Sequence, residues 1–225
     1  MSKREQVHEY AEKKLNYLEN IATKDETKSE SKRIMANLRR GIGKQIGEVP
    51  ELWKIVFYKI EDELAGKDKI SYAEWAIYTT LTLYALHQQG KDIEGNNMNQ
   101  KYMSLGDAVS DADTQNLSKI SISLGRAAAH LVESEDDIDR ILKRLNLVVT
   151  AVSPEDLAYH LRGIIQLLKQ KDIPLDYANL AADLYQFHYE ESAEFVKCKW
   201  GRDFWYEHYR LTNKNKENNE KENQE

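Results

Sequence analysis

Apolar residues recur at intervals of three and four along most of the chain, a spacing that places them on one face of an α-helix. The clearest segment follows Ser153 and Pro154, a capping residue and then a proline at the first helical position. The next two residues are acidic, which favours a helix start. The pattern predicts a helix over residues 154–171 with one buried stripe, formed by Leu157, Leu161, Ile164, Ile165 and Leu168.

A second strong helix start is a capping box. Ser71 and Glu74 stand three residues apart directly before the apolar run that begins at Trp75. Gly90 supplies the usual left-handed stop, so a helix is predicted between these signals. The same periodicity predicts further helices over residues 5–21, 32–40, 50–64, 116–132, 135–151, 176–187 and 193–209.

The last of these segments has two readings. Residues 195–200 alternate enough to suggest a strand, whereas Val196, Trp200 and Phe204 fall on one helical face. No other segment offers a convincing partner strand, which favours the helix. The predicted fold class is therefore all-α, a compact multi-helix bundle.

Polar segments divide the chain into three predicted parts. Residues 1–31 form an N-terminal helical extension and polar linker, and residues 32–212 form the helical domain. Residues 213–225 contain no apolar side chain, which predicts a disordered polar tail. Within the domain, residues 91–101 are rich in Asn and Gly and predict a mobile surface connection.

Composition indicates a soluble globular protein. The chain has 225 residues, of which 41% are hydrophobic and 31% charged, and its mean hydropathy is -0.71. No apolar run approaches the roughly 20 residues that span a bilayer, and the first ten residues lack the apolar centre of a signal peptide. We therefore expect a cytoplasmic location. The single cysteine, Cys198, cannot form an internal disulfide.

The charge distribution is uneven. A net charge of -6 argues mildly against nucleic-acid binding, because phosphate-binding domains usually carry a basic surplus. Local windows differ from the total, however: residues 39–44, 140–150 and 197–202 each contain three basic residues. Acids concentrate elsewhere, notably in residues 133–139, so basic faces can exist on an acidic molecule.

Motifs for catalysis or metal binding are weak. The glycines at 41 and 43 lack the spacing of a phosphate-binding loop and are expected to end a helix. Glu5 and His8 form one isolated pair of the kind found in di-iron bundles, which need further ligands from other helices. Asp156 and His160 are one helical turn apart and predict a surface pair. We expect no enzymatic activity, cofactor or metal; a helical hydrolase is a distant alternative.

Spacing alone does not show whether the basic residues bind nucleic acid. Arg140, Lys143 and Arg144 share one helix face, where they could meet successive phosphates or form an ordinary solvated surface. Arg162 is equally ambiguous. Trp53 and Trp200 are expected to be core or interface anchors, because large aromatic residues bury most of their area.

Specific strings carry more information than these patterns. In chain order they are LRRGIGKQIGEVPELW (residues 38–53), LYALHQQG (83–90), LGRAAAHL (124–131), HLRGIIQLLKQKDIPLDYANLAADLYQF (160–187) and KWGRDFWY (199–206). These strings resemble the CasB family, the small subunit of the type I-E CRISPR Cascade complex. The resemblance covers residues 33–206, whereas the long N-terminal extension and the polar tail depart from the family pattern.

The resemblance implies a wholly helical, non-catalytic protein that acts in antiviral defence. Two copies are expected to lie head to tail in a ribonucleoprotein, contacting guide RNA paired with target DNA and the displaced strand of the R-loop. The implied partners are the large subunit and backbone subunits of Cascade, the CRISPR guide RNA, the target DNA and a second copy of the chain. The alternative is a helical interaction scaffold without direct nucleic-acid contact, whose arginines pair with acids across interfaces.

The basic residues that fall in the matching strings and in the helical strip are the candidate nucleic-acid contacts. One of them, Arg202, precedes Asp203 directly and has a structural alternative. The predicted RNA- and DNA-binding residues are Arg39, Arg40, Lys44, Arg126, Arg140, Lys143, Arg144, Arg162, Lys199 and Arg202.

Overall fold

The computed structural model describes residues 1–103 and 120–222, with side chains described up to residue 213. Helices dominate these residues, and the predicted all-α fold is confirmed. Two short 3₁₀ turns, Ile46–Glu48 and Pro50–Leu52, and two paired two-residue strands, β1 (Tyr102–Met103) and β2 (Ile120–Ser121), complete the secondary structure of this part. The helices are α1 (Lys3–Thr23), α2 (Lys28–Arg40), α3 (Trp53–Phe57), α4 (Tyr72–His87), α5 (Leu124–Ala129), α6 (Glu135–Val149), α7 (Pro154–Gln170), α8 (Tyr177–Gln186) and α9 (Glu190–Glu222).

Serine caps set several helix starts. The hydroxyl groups of Ser71 and Ser153 accept hydrogen bonds from the backbone of Glu74 and Asp156, as the sequence predicts. Ser2 forms a further capping box with Glu5, so α1 begins at Lys3, two residues before the predicted start. These bonds satisfy amide groups that the first helical turn leaves free.

Helix α4 lies at the centre of the fold. Nearly all of its residues are buried, and α1, α2, α7 and α8 pack around it. Its sequence is apolar on every side, as expected for a helix surrounded by others. Helix α6 packs on α7, and α5 packs on α9. The core is continuous from α1 to α9, so the predicted N-terminal extension contributes buried side chains to it, namely Val7, Tyr10, Ala11, Leu15, Leu18 and Ile21.

The predicted helix over residues 50–64 is wrong in its second half. The helix ends at Phe57, because side chains of α1 occupy the carbonyl groups that would continue it. The Tyr10 hydroxyl donates to the carbonyl oxygen of Val56 at 2.7 Å, and Lys14 Nζ donates to that of Tyr58 at 2.6 Å. The chain then turns through Lys59 with a positive φ of 61°.

The predicted helix over residues 116–132 is also shorter than expected. Residues 116–119 lie outside the described residues, and the next two form β2 instead of a helix. The backbone amide of Ile122 donates to Lys101, and its carbonyl accepts from Asp176. These long-range bonds extend the backbone until Ser123 caps α5. Helix α5 then ends at Ala129.

Helix α9 resolves the two readings of residues 195–200 in favour of the helix. It buries Val196, Trp200 and Phe204 on one face, as that reading requires. The helix also continues through residues 213–222, which the sequence predicted to be disordered. No glycine or proline after Gly201 interrupts the backbone hydrogen bonding, so the polar composition does not end the helix.

The contact between α5 and α9 requires close backbone approach at Gly125. A Cβ atom there would overlap the carbonyl group of Trp200 and lie 3.0 Å from the backbone nitrogen of Phe204. The glycine therefore permits the two helices to touch.

The connection over residues 91–101 is tied to the body. Gln88 donates to the carbonyl oxygen of Asn96 at 3.0 Å and accepts from the amide of Met98 at 2.8 Å. Met98 is fully buried, and its carbonyl accepts from Leu175. These contacts hold the connection against the body, so they do not favour the mobility that its composition predicts. Within the described residues, no helix combines the length and apolar character needed to cross a membrane.

Candidate nucleic-acid interface

Helix α7 presents a mixed aromatic and basic face to solvent. Its apolar stripe is buried, while Tyr159, Arg162 and Gln166 are exposed and Lys169 is half-buried. These four residues follow one another at three and four positions, so they share a face. Arg162 and Lys169 are separated by about 10 Å along the helix axis, at 1.5 Å per residue.

At the start of α7, this face borders the connection that follows α2. Lys44 in that connection and Arg162 line the same cavity, whose volume is about 460 Å³. Gly43 adopts a positive φ of 76° within the turn that ends α2, which agrees with the predicted helix stop. Lys44 and Arg162 are both exposed, and neither forms an ion pair with another described residue.

At the other end of α7, three cations lie close together. Arg39 donates to the carbonyl oxygen of Ala85 at 3.4 Å, and burial lowers the pKa of its guanidinium. Lys91 donates to the carbonyl oxygen of Lys169 at 2.9 Å and pairs with Asp172. Partial burial, and then the charges of Lys91 and Arg39, lower the pKa of Lys169. Like charges held together in this way favour an anion as a ligand.

We group the cations at the two ends of α7 under one name, the α7 groove. Lys44 and Arg162 line the cavity at the start of α7, while Arg39 and Lys91 line a second cavity beside α2 that shares no lining residue with the first. Sequence reasoning predicted three of its cations and missed Lys91 and Lys169. The seven-residue spacing from Arg162 to Lys169 is a signal that could have identified Lys169. The α7 groove consists of Arg39, Lys44, Lys91, Arg162 and Lys169.

The predicted strip lies on α6, which packs against α7. Lys143 and Arg144 are exposed, and Arg144 Nη1 lies 3.5 Å from the position of a Cβ atom on Gly163 of α7. Arg140 differs, because it pairs with Asp137, the acid of the capping box that starts α6. The hydrogen bond from Arg140 is the largest cause of the lowered pKa of Asp137. Among the described residues, the strip therefore offers two cations without an ion pair, Lys143 and Arg144.

Arg40 also has partners on its own side of the molecule. It donates to the side chain of Asn37 at 3.2 Å and lies 3.8 Å from Glu51. Both members of this ion pair are exposed, so the pair is weak and Arg40 can exchange it for another anion.

Two other predicted contacts are partly buried and paired with acids. Arg126 on α5 is 14% exposed and lies 3.1 Å from Asp203 and 3.7 Å from Glu207, both on α9. Lys199 lies 2.8 Å from Asp183, whose side chain is 1% exposed. We name the three acids Asp183, Asp203 and Glu207 the acidic junction.

Further donors satisfy the acidic junction. Trp200 Nε1 donates to Asp183 at 3.0 Å, the hydroxyl of Ser123 donates to Asp203, and His130 lies 2.8 Å from Glu207. Burial by itself raises the pKa of Glu207, but the bonds from His130 and Arg210 outweigh burial and lower it to about 2. The junction thus holds α5, α8 and α9 together.

Arg202 is separate from this junction. It is exposed on α9, and it forms no ion pair with any residue whose side chain the structure describes. Its neighbour Asp203 instead bonds to Ser123 and Arg126. Exposed aromatic rings accompany Arg202 on the same helix face, at the seven-residue positions Phe195 and Tyr209 and beside them at Trp205.

The two acid–histidine pairs of the sequence gain no further catalytic or metal-binding groups within the described residues. Asp156 and His160 form the predicted pair at 3.1 Å. Glu5 and His8 line a cavity on the far side of the fold, beside Asp176. In residues 1–103 and 120–222, no three His, Cys, Asp or Glu side chains are placed to hold a metal ion. Trp53 is half-exposed and donates to the carbonyl oxygen of Ile46, whereas Trp200 is buried in the core.

Comparisons with known proteins agree with this fold. The chain is similar to CasB from Thermobifida fusca, with 29% identity and a TM-score of 0.65 over 88% of this chain and 97% of that one. It also shares its fold with a chain of a CRISPR RNA-guided surveillance complex, with 16% identity and a TM-score of 0.63 over 92% of this chain and 98% of that one. No curated protein sequence matches the chain.

The family comparison covers most of the chain. The family described as CRISPR-associated protein Cse2 matches residues 34–205. This range includes every helix from α3 to α8 and all the predicted contact residues. It also confirms the resemblance carried by the five sequence strings. The chain therefore belongs to the CRISPR-associated Cse2 family.

Proposed function

We propose that this chain is a non-catalytic subunit of a type I-E CRISPR RNA-guided surveillance complex that holds nucleic-acid strands. Membership of the Cse2 family and likeness to CasB from Thermobifida fusca support the assignment to such a complex. Its proposed partners are the other Cascade subunits, the guide RNA, the target DNA and a second copy of the chain. It acts by stabilising guide–target pairing and the displaced strand.

The observation that carries the nucleic-acid role is the α7 groove. Its cations come from α2, α7 and the connections after α2 and α4, and lie at the two ends of α7. Lys143 and Arg144 extend positive charge to the adjacent side of α7. Such a surface binds phosphates without reading bases.

Base-independent contact suits an RNA-guided complex. Pairing between guide and target supplies the sequence choice, so a helper subunit needs only backbone contacts. Opening the target duplex is a nearly balanced exchange, so a few phosphate contacts can shift it. The acidic total of -6 limits the affinity of the isolated chain. Neighbouring subunits that hold the chain near its strand raise the effective concentration of the groove.

Charge reversal tests the role of the groove. The variant Lys44→Glu/Arg162→Glu is expected to bind single-stranded DNA at least about tenfold more weakly than wild type at low salt. The slope of log affinity against log salt should also become shallower by about 1 to 2 units, because up to two phosphate contacts are lost. Fluorescence anisotropy with a labelled oligonucleotide measures both quantities.

The matched control is Lys3→Glu/Lys13→Glu on α1, which makes the same change in net charge. Both residues are exposed and lie on a helix that packs on α8. This control should retain most of the binding. Equal losses in the two variants would show that total charge, and not the groove, governs binding.

A second candidate function is a protein-interaction scaffold without direct nucleic-acid contact. The exposed aromatic face of α9, with Phe195, Trp205 and Tyr209 around Arg202, favours it. Under this alternative, the groove variant binds DNA as wild type does but fails to copurify with the other Cascade subunits.

A further inference from the structure

The cavity between Lys44 and Arg162 has the form of a small-ligand site. Its volume of about 460 Å³ lies within the range of such sites. Its floor is α4, and its walls are the connection over residues 41–46 and the first turns of α7. The Tyr78 hydroxyl donates to the carbonyl oxygen of Gly41 at 2.8 Å, which fixes one wall to the floor.

Aromatic rings line the cavity from two sides. Tyr72 and Trp75 lie one turn apart at the start of α4, and both contact the ring of His188. The rings of Tyr72 and His188 are stacked at 4.2 Å with an angle of 5° between their planes. Tyr159 approaches from α7 and is 71% exposed. A large aromatic side chain that is open to solvent beside a cavity offers a stacking surface for a planar ring.

One polar atom in the wall lacks a partner. His188 Nε2 is buried and makes no hydrogen bond within the described part of the chain. Burial lowers the pKa of His188, while the nearby Glu155 carboxylate opposes this shift. A neutral imidazole can donate or accept one hydrogen bond at this nitrogen, depending on its tautomer.

The charges at the cavity select among ring-containing ligands. Lys44 and Arg162 contribute two positive charges, and Glu155 contributes one negative charge. The rim therefore favours an anion next to the aromatic walls. A nucleotide combines a planar base with a phosphate, whereas an uncharged aromatic side chain of a protein would leave both cations unpaired.

We propose that this cavity binds one unpaired nucleotide, with its base against Tyr159 and the α4 aromatic rings and its phosphate on Lys44 and Arg162. This inference rests on the proposed function, because it adds a base-stacking site to the phosphate-binding groove. Stacking of this kind tolerates any base sequence, so it does not require base readout. It would hold a displaced strand more firmly than phosphate contacts alone.

The test compares two oligonucleotides that differ only in their bases. One is a twelve-nucleotide oligothymidine, and the other has the same backbone with abasic sugars. For the full wild-type chain, the abasic strand is expected to bind about tenfold more weakly. Tyr159→Ala should lower the affinity for oligothymidine to that of the abasic strand, while abasic binding stays unchanged. Tyr17→Ala on α1 is the matched control, since that tyrosine is 40% exposed and lies outside the proposed binding surfaces, and it should leave both affinities unchanged.

The outcomes separate this inference from the proposed function. Equal wild-type affinity for the two strands would overturn the nucleotide site and leave phosphate binding intact. A preference for bases that survives in Tyr159→Ala would also overturn it, because the base then binds elsewhere. Binding of neither strand would overturn both proposals. If Tyr159→Ala changes only copurification with the other Cascade subunits, the cavity is a protein-docking site and the nucleotide proposal fails.

Discussion

The α7 groove and the acidic junction contain the same kinds of basic residue in opposite situations. Arg162 in the groove is exposed and has no acidic partner in the described structure. Arg126 at the junction is mostly buried between Asp203 and Glu207. Both arginines precede small residues in strings of the same family pattern, and both were predicted to bind nucleic acid. Of these two arginines, only Arg162 leaves its positive charge available.

The difference comes from desolvation. A buried arginine has lost its hydration and depends on its acids, so exchanging them for phosphates would expose two buried carboxylates. An exposed arginine gives up little when it binds a phosphate. The junction should therefore respond to substitution in its stability, and the groove in its binding. Substitutions in the two regions test whether stability and binding separate in this way.

The largest effect is expected at Asp183. Asp183→Ala removes the partner of Lys199 and of Trp200 Nε1, and it leaves a charge poorly compensated. The free energy of unfolding should fall by about 4 kcal/mol, in the range for breaking a buried pair. Urea denaturation measures the change. Glu9→Ala, which breaks the exposed pair with Lys13, should change stability by less than about 0.5 kcal/mol. Similar small losses in both variants would mean that Asp183 is not structural.

The next largest effect is expected at the contact between α5 and α9, two of the helices that the acidic junction holds together. Gly125→Ala places a methyl group against the backbone of Trp200, and this clash should lower the free energy of unfolding by about 3 kcal/mol. Gly201→Ala is a control on the facing helix, where a Cβ atom meets nothing within 4 Å. It should raise stability by up to about 1 kcal/mol, because alanine favours a helix interior. Thermal denaturation followed by circular dichroism distinguishes the two. A stable Gly125→Ala variant would contradict the close approach.

The smallest change in stability is expected in the groove. Arg162→Met should alter the free energy of unfolding by less than about 0.5 kcal/mol and weaken binding to single-stranded DNA about threefold or more. The same substitution at Arg126 should destabilise the chain by about 2 kcal/mol, because it removes the partner of two carboxylates, and leave DNA binding unchanged. Urea denaturation and anisotropy on both variants complete the comparison. Weaker DNA binding by folded Arg126→Met would indicate that Arg126 contacts nucleic acid after all.

Local sequence signals predicted much of the helical fold. Ser71 and Ser153 cap helices as expected, and the apolar stripe of α7 is buried as a unit. The errors fall where distant segments form hydrogen bonds with backbone groups of the predicted helix. Tyr10 and Lys14 end α3 from α1, more than 40 residues earlier in the chain. Sequence periodicity cannot report such bonds, because they join segments that only the folded chain brings together.

The candidate site shows the same limit. The sequence supplied Arg39, Lys44 and Arg162 as separate basic positions in matching strings. Their position beside α7 with Lys91 and Lys169 depends on how α2 and α7 pack on α4. The aromatic wall of the cavity likewise joins Tyr159 to Trp75 and His188 from three separate segments.

The amino-acid sequence by itself determined the helical class, the principal helix starts and the family strings, because caps, periodicity and motifs act over a few neighbouring residues. The tertiary structure alone decided which cations remain free. Arg126 and its acid Asp203 are 77 residues apart, whereas Lys44 and Arg162 form no ion pair within the described residues, although Glu155 lines the same cavity. Burial and long-range pairing set the energetic cost of releasing a charge, and those quantities exist only once the helices have packed.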